Sequence, residues 1–239
     1  MKNHSKRYYE LFLLLLTAAQ ILFLAYMNLF ESPKMIDYDG AKLYMHAMEM
    51  WHNKSFFIPG WKYITTMELD CSLLLAVPFY ALSHNIFLAF GLSNLIMICG
   101  FAGVIYVIFC HTPYRRHALA AVILVLTPYA YGMLEYFNMM FFNGSQYVIK
   151  VLLPLLLIQL LTVPSGRRKT KGNILFLIVY SLLLFLTSLS SGFYVMFCGL
   201  LPLLLYTGFD FLYHREIRQV SSQYRHCHSC RLRSRLSGR

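Results

Sequence analysis

Charge is scarce in this chain, and negative charge is scarcest. Only 13% of its 239 residues are charged, and ten carry a carboxylate. A soluble globular domain holds about twice that share of charge, so a chain wetted on all sides is excluded. A disulfide framework is missing as well. Cys71, Cys99, Cys110 and Cys198 are scattered through apolar stretches, where a small buried thiol is the expected role. No Gly-rich phosphate loop, nucleophile elbow or zinc-protease motif occurs, so the reactions those motifs carry have no footing here. Internal repeats and heptads are absent too.

What is abundant is hydrocarbon. Hydrophobic residues make up 58% of the chain and its mean hydropathy is +0.54. Apolar runs of about twenty residues recur, enough for a helix to cross roughly 30 Å of bilayer. Helices also satisfy their own backbone groups where water is missing. The expected fold is an all-α polytopic membrane protein with residues 1–210 as its transmembrane domain. The first apolar run is too long for a signal-peptide core and is read as a retained span. The net charge of +11 does not point to nucleic acid. Its Lys and Arg residues fall between spans and in the tail, as the positive-inside bias predicts.

Lys2, Lys6 and Arg7 precede a first span near Tyr8–Phe30, which puts the N-terminus in the cytoplasm and the 31–70 loop outside. That loop holds six of the ten carboxylates: Glu31, Asp37, Asp39, Glu49, Glu68 and Asp70. From Asp39-Gly40 to about His52 a helical pattern runs, with Ala41, Tyr44, Met45, Met48 and Trp51 as its apolar stripe. Lys42, His46, Glu49 and Asn53 recur on the other side, which describes an amphipathic helix lying on the membrane surface. Pro59-Gly60 ends the pattern, and Trp61 and Tyr63 suit the interface.

Between 71 and 110 the chain has room for two crossings around Ser83-His84-Asn85, but charge parity favours one. Arg115, Arg116 and the basic 165–172 segment both belong in the cytoplasm only if 72–83 does not span and 86–110 does. Further spans are expected at 118–136 and 147–163, then two helices over 173–209 broken at Ser190-Ser191-Gly192. The total is six spans, or seven if 71–110 crosses twice. From 211 to 239 a basic cytoplasmic tail follows, disordered near anionic lipid or translated out of frame. Its His226-Cys227-His228-Ser229-Cys230 run lacks a second ligand pair for zinc.

Asp37-Tyr38-Asp39 and Glu68-Leu69-Asp70 are the candidate chemistry. Paired carboxylates can share a divalent cation such as Mg or Mn, or one can take a proton from an acceptor hydroxyl. The plain alternative is helix capping, by Asp39 for the helix from Gly40 and by Asp70 for the helix from 71. Both pairs flank one loop and can meet over one aqueous pocket, where His46 adds a proton carrier.

The same residues carry a resemblance. A span, the Asp37-Tyr38-Asp39 motif, a surface helix with Ala41, Tyr44, Ala47 and Met48, Pro59, and the Glu68–Leu82 return to the membrane resemble the N-terminal part of GT-C-type membrane glycosyltransferases. That class includes the protein-mannosyltransferase-like bacterial group. The resemblance implies sugar transfer from a polyprenyl-phosphate-linked donor to a hydroxyl on the external face, in a bacterial plasma membrane rather than the endoplasmic reticulum. It makes Asp37 and Asp39 the catalytic or metal-binding positions, with Glu68, Asp70 and His46 beside the substrate. Members of that family are longer, so the resemblance also implies an N-terminal portion of such an enzyme. Two other classes fit the composition: a small transporter or flippase using interior polar residues such as Asn94 and Glu135, and a non-catalytic membrane subunit.

Overall fold

The computed structural model describes residues 2–63, 67–127, 134–162, 170–209 and 211–213. Helix is the only regular secondary structure among them. The chain divides after Val195 into two units. In the second, a π-helical turn at Met196–Leu200 leads into an apolar helix, Leu201–Tyr213. Residues 214–239, and with them the Cys227–Cys230 run, lie outside the described residues.

The first unit opens with α1 (Lys2–Tyr26), which continues through a π-helical turn, Met27–Glu31, into the short α2 (Ser32–Met35). The turn has two local causes. Pro33 offers no N–H to the carbonyl four residues back and its ring crowds that carbonyl. Asn28 also turns its amide onto the Leu24 carbonyl at 3.0 Å. After α3 (Tyr38–Asn53) come α4 (Leu73–Ser83) and α5 (Ile86–Cys110). Then follow α6 (Ala118–Leu126), α7 (Leu134–Phe141), α8 (Val148–Thr162) and α9 (Thr170–Val195).

Three helical stretches are long and apolar enough to cross a membrane: Arg7–Met35, Ile86–Cys110 and Ile174–Tyr194. Three spans are thus shown among the described residues, and the expected spans 118–136 and 147–163 run partly outside them. At about 1.5 Å per residue, the 11 residues of α4 reach only about 16 Å. That matches a non-spanning 72–83 segment ahead of one crossing by α5. His84, in the left-handed conformation at φ 52°, ends α4, and the Asn85 side chain caps α5 by accepting from Leu88 N at 3.1 Å.

One expected span, 118–136, is not a single helix. α6 stops at Leu126 and Thr127 is extended, because the residue before a proline is pushed out of the helical region. The expected break at Ser190-Ser191-Gly192 is a kink inside α9, where Ser191 takes φ −146° and ψ 39°.

Around α5 the bundle is held by polar contacts as well as by apolar packing. Asn94, 1% exposed, donates to Asn28 Oδ1 at 3.0 Å. Its own Oδ1 accepts from the hydroxyls of Ser72 (2.8 Å) and Ser145 (3.2 Å). In hydrocarbon, apolar side chains gain little by leaving lipid for a helix interface, so such bonds and close packing carry association. Gly91 supplies the closeness: a Cβ there would stand 2.5 Å from the Asn28 carbonyl oxygen.

Candidate functional site

α3 packs against α4 and α5. Asp37 starts it. Its extended backbone leaves the side chain free to curl back, and Oδ1 accepts from Gly40 N at 2.7 Å. The cap expected at Asp39 thus belongs to Asp37. Asp39 stands exposed in the first turn, where a negative charge is favoured by the helix dipole.

α3 is turned from the expected orientation. Its inner face is Leu43, Tyr44, Ala47 and Met50, with Tyr44 stacked on Phe90 at 4.0 Å between ring centroids. Met45, expected in the apolar stripe, is 55% exposed. His46, expected on the wet face, is fully buried. The reason lies outside the helix. Trp61 stacks over the imidazole at 4.9 Å and the Tyr63 hydroxyl reaches Nε2 at 3.4 Å. Burial, with Lys42 nearby, pushes the imidazole down to about 4, so it is neutral at physiological pH.

Glu68 and Asp70 part company. Glu68 adopts φ 58°, left-handed for a non-glycine residue, and places its carboxylate on Lys42 Nζ at 2.7 Å. Both side chains of that pair are mostly buried, at 15% and 13% exposure. Asp70 turns inward instead. It is 1% exposed and faces Lys150 Nζ of α8 at 3.6 Å. Burial holds its carboxyl above the usual range, outweighing Lys150 and the Ser191 hydroxyl, which favour the anion. Leu69 N donates to Ser190 Oγ at 2.9 Å and Ser72 N to the Gly144 carbonyl at 2.8 Å, so this short segment is tied to the α9 kink and to the α7–α8 turn. That turn, Asn143-Gly144-Ser145, has positive φ at all three residues, and Asn143 Nδ2 donates to the Met35 carbonyl at 3.3 Å.

Outside the buried face, α3 forms one wall of an open groove of about 410 Å³. Tyr38, Ala41, Lys42 and Met45, at helical spacing, line it from α3, and Trp61 and Lys62 line it from the loop. The groove is the feature that the sequence reading missed. Its signal was present in the 38-41-42-45 spacing, but Ala41 and Met45 fit a lipid-facing stripe equally well. Tyr38, the residue between the two aspartates, is 76% exposed on it.

Among the described residues no group of three His, Cys, Asp or Glu side chains gathers to hold a metal. Asp37 has one oxygen committed to the cap, so the pair falls short of a cation cage by itself. Of the interior polar residues, Asn94 is engaged with Asn28, Ser72 and Ser145, and the Glu135 side chain lies outside the described residues. Cys71 is buried, and its thiol is pushed up and stays protonated. The chain matches no protein-family model, no curated protein and no solved structure.

Proposed function

We propose that this chain works as a membrane glycosyltransferase, or the N-terminal part of one, with the groove beside Asp37-Tyr38-Asp39 as its site. The observation that carries the reading is the position of Tyr38. It joins the acidic pair to a groove that also holds Lys62 and Trp61. Aromatic faces suit a sugar ring, and an exposed ammonium suits the phosphate of a polyprenyl-phosphate donor.

In this reading Asp39 is the general base. It takes the proton of the acceptor hydroxyl as that oxygen bonds to the anomeric carbon. The bond from that carbon to the lipid phosphate breaks on the opposite side, and the phosphate leaves with the electron pair beside Lys62. Asp37 sets the start of α3 and so the placement of Tyr38 and Asp39.

The test is transfer of labelled sugar from polyprenyl-phosphate hexoses by the full chain in proteoliposomes. Asp39→Asn is expected to lower transfer by about a hundredfold or more while lowering stability by no more than about 1 kcal/mol. Asp37→Ala is expected to lower transfer while weakening the fold by about 1 kcal/mol. Transfer that survives Asp39→Asn overturns the assignment, and donor binding with no transfer by the unaltered chain favours a non-catalytic binding subunit.

A further inference from the structure

The groove's charge is unusual for an anion site, because one of its two cations is already spent. Among the described residues its lining includes Lys42 and Lys62 and no carboxylate. Lys42 is paired with Glu68 at 2.7 Å, with both side chains largely shielded from water. That pairing is built in rather than incidental. Glu68 holds a left-handed backbone to reach α3, a conformation that is unfavourable for a non-glycine residue. The segment carrying it is pinned on both flanks of Asp70 by Ser190 and Gly144. Among the described residues the lining therefore presents a single uncompensated positive charge, on the exposed Lys62. Asp37 and Asp39, both exposed, add negative charge at the Tyr38 end.

We infer that Glu68 is the residue that sets the charge class of the ligand: it makes the groove selective for a monoanionic phosphodiester over a dianionic phosphomonoester. The inference rests on the groove being the donor site. A sugar linked through phosphate to a lipid is a phosphodiester with one negative charge. Once the sugar has left, the lipid phosphate is a monoester with about −1.5 to −2 at neutral pH. Lys62 attracts both, but with the Lys42–Glu68 pair neutral the carboxylates of Asp37 and Asp39 leave the groove region net negative. That disfavours the dianion about twice as strongly as the monoanion, so transfer itself weakens the hold on the leaving group. Glu68 thereby promotes product release without touching the reacting atoms. Unmasking Lys42 would favour every anion, and a dianion about twice as strongly in free energy as a monoanion.

The chain has two tryptophans. Trp61 lines the groove, while Trp51 lies at the far end of α3 beneath the Lys54 ammonium, 2.9 Å from its ring centroid. In a Trp51→Phe background the fluorescence of Trp61 thus reports groove binding by the full chain in detergent. Titration at pH 8 with a dialkyl phosphate and with a monoalkyl phosphate of matched length is the experiment. The unaltered groove is expected to bind the diester more tightly. Glu68→Gln is expected to tighten the monoester on the order of tenfold and the diester about threefold, inverting or erasing the preference. Lys42→Met with Glu68→Gln removes both charges of the pair, restores the original balance and is expected to restore the diester preference. That double variant separates charge from a general loosening of the fold.

Equal shifts for both ligands, no shift, or no binding of either anion overturns the inference. Charge-selective binding that obeys these variants, in a chain that transfers no sugar in proteoliposomes, retains the role of Glu68 and overturns the transferase reading. Transfer dependent on Asp39 but indifferent to Glu68 does the reverse.

Discussion

His46 shows how one residue's role is decided by its neighbours. On α3 it shares a helical face with Lys42, yet Trp61 and Tyr63 close over it and leave it fully buried. Its folded pKa of about 4 lies below the ordinary value of 6.5. Below 6.5 the unfolded chain therefore binds a proton that the folded chain refuses, and stability falls as pH drops toward 4. At about 1.4 kcal/mol per unit, acidification from pH 7 to 4.5 is expected to cost about 2–3 kcal/mol through this residue. Asp70 works in the opposite sense: its raised carboxyl is best tolerated in acid, and its contribution declines as pH rises through the folded pKa. The check is unfolding in detergent at the two pH values. His46→Phe should flatten the acid loss, and identical slopes for both proteins would remove His46 as its cause. A histidine at this spacing could be read as a proton carrier from sequence. That it is a neutral buried ring could not, since Trp61 and Tyr63 cover it only after the chain turns back at Pro59-Gly60.

At the scale of elements, the 67–72 segment joins parts that are far apart in the chain. It meets α3 through Glu68, α8 through Asp70 and the α9 kink through Leu69. The Asp70–Lys150 pair is the more buried of the two ion pairs. Removing one partner strands the other charge, which costs about 3–5 kcal/mol for a buried pair, whereas removing both can be nearly neutral. Lys150→Met and Asp70→Asn are each expected to destabilise strongly, and the double variant less than their sum. Chemical unfolding of the four proteins gives the coupling. Additivity within about 0.5 kcal/mol would mean that the pair does not link the segment to α8. Capping at the start of α3 and the break at α9 were legible beforehand, because both depend on neighbouring residues. The cap still fell two residues earlier than the Gly40 pattern indicated. Both Asp37 and Asp39 suit a cap, and only the backbone geometry chooses between them.

For the whole molecule, the length of α4 has a consequence for topology. A helix of 11 residues cannot cross a bilayer about 30 Å thick, whereas the 25 of α5 can. With α4 folded back beside α3, single cysteines at Ser55 and Ser83 in a cysteine-free background should react with an impermeant reagent from one side. A cysteine at Thr112, beyond α5, should react only from the other. Labelling of Ser83→Cys from the side of Thr112→Cys would mean that α4 spans after all.

The sequence by itself determined the solvent this protein folds in and much of its helix punctuation. Apolar length, prolines and side-chain caps act over a few residues, so they read out without knowledge of the fold. Tertiary structure alone decided which face of α3 points inward, where the groove opens, and why Glu68 and Asp70, two residues apart, serve different partners. Those outcomes rest on contacts between distant segments: Lys42 with Glu68, Asp70 with Lys150, and Leu69 with Ser190. A burial free energy shared among several segments has no local signature, and a carboxylate looks the same in sequence whether water, a lysine or a substrate will meet it.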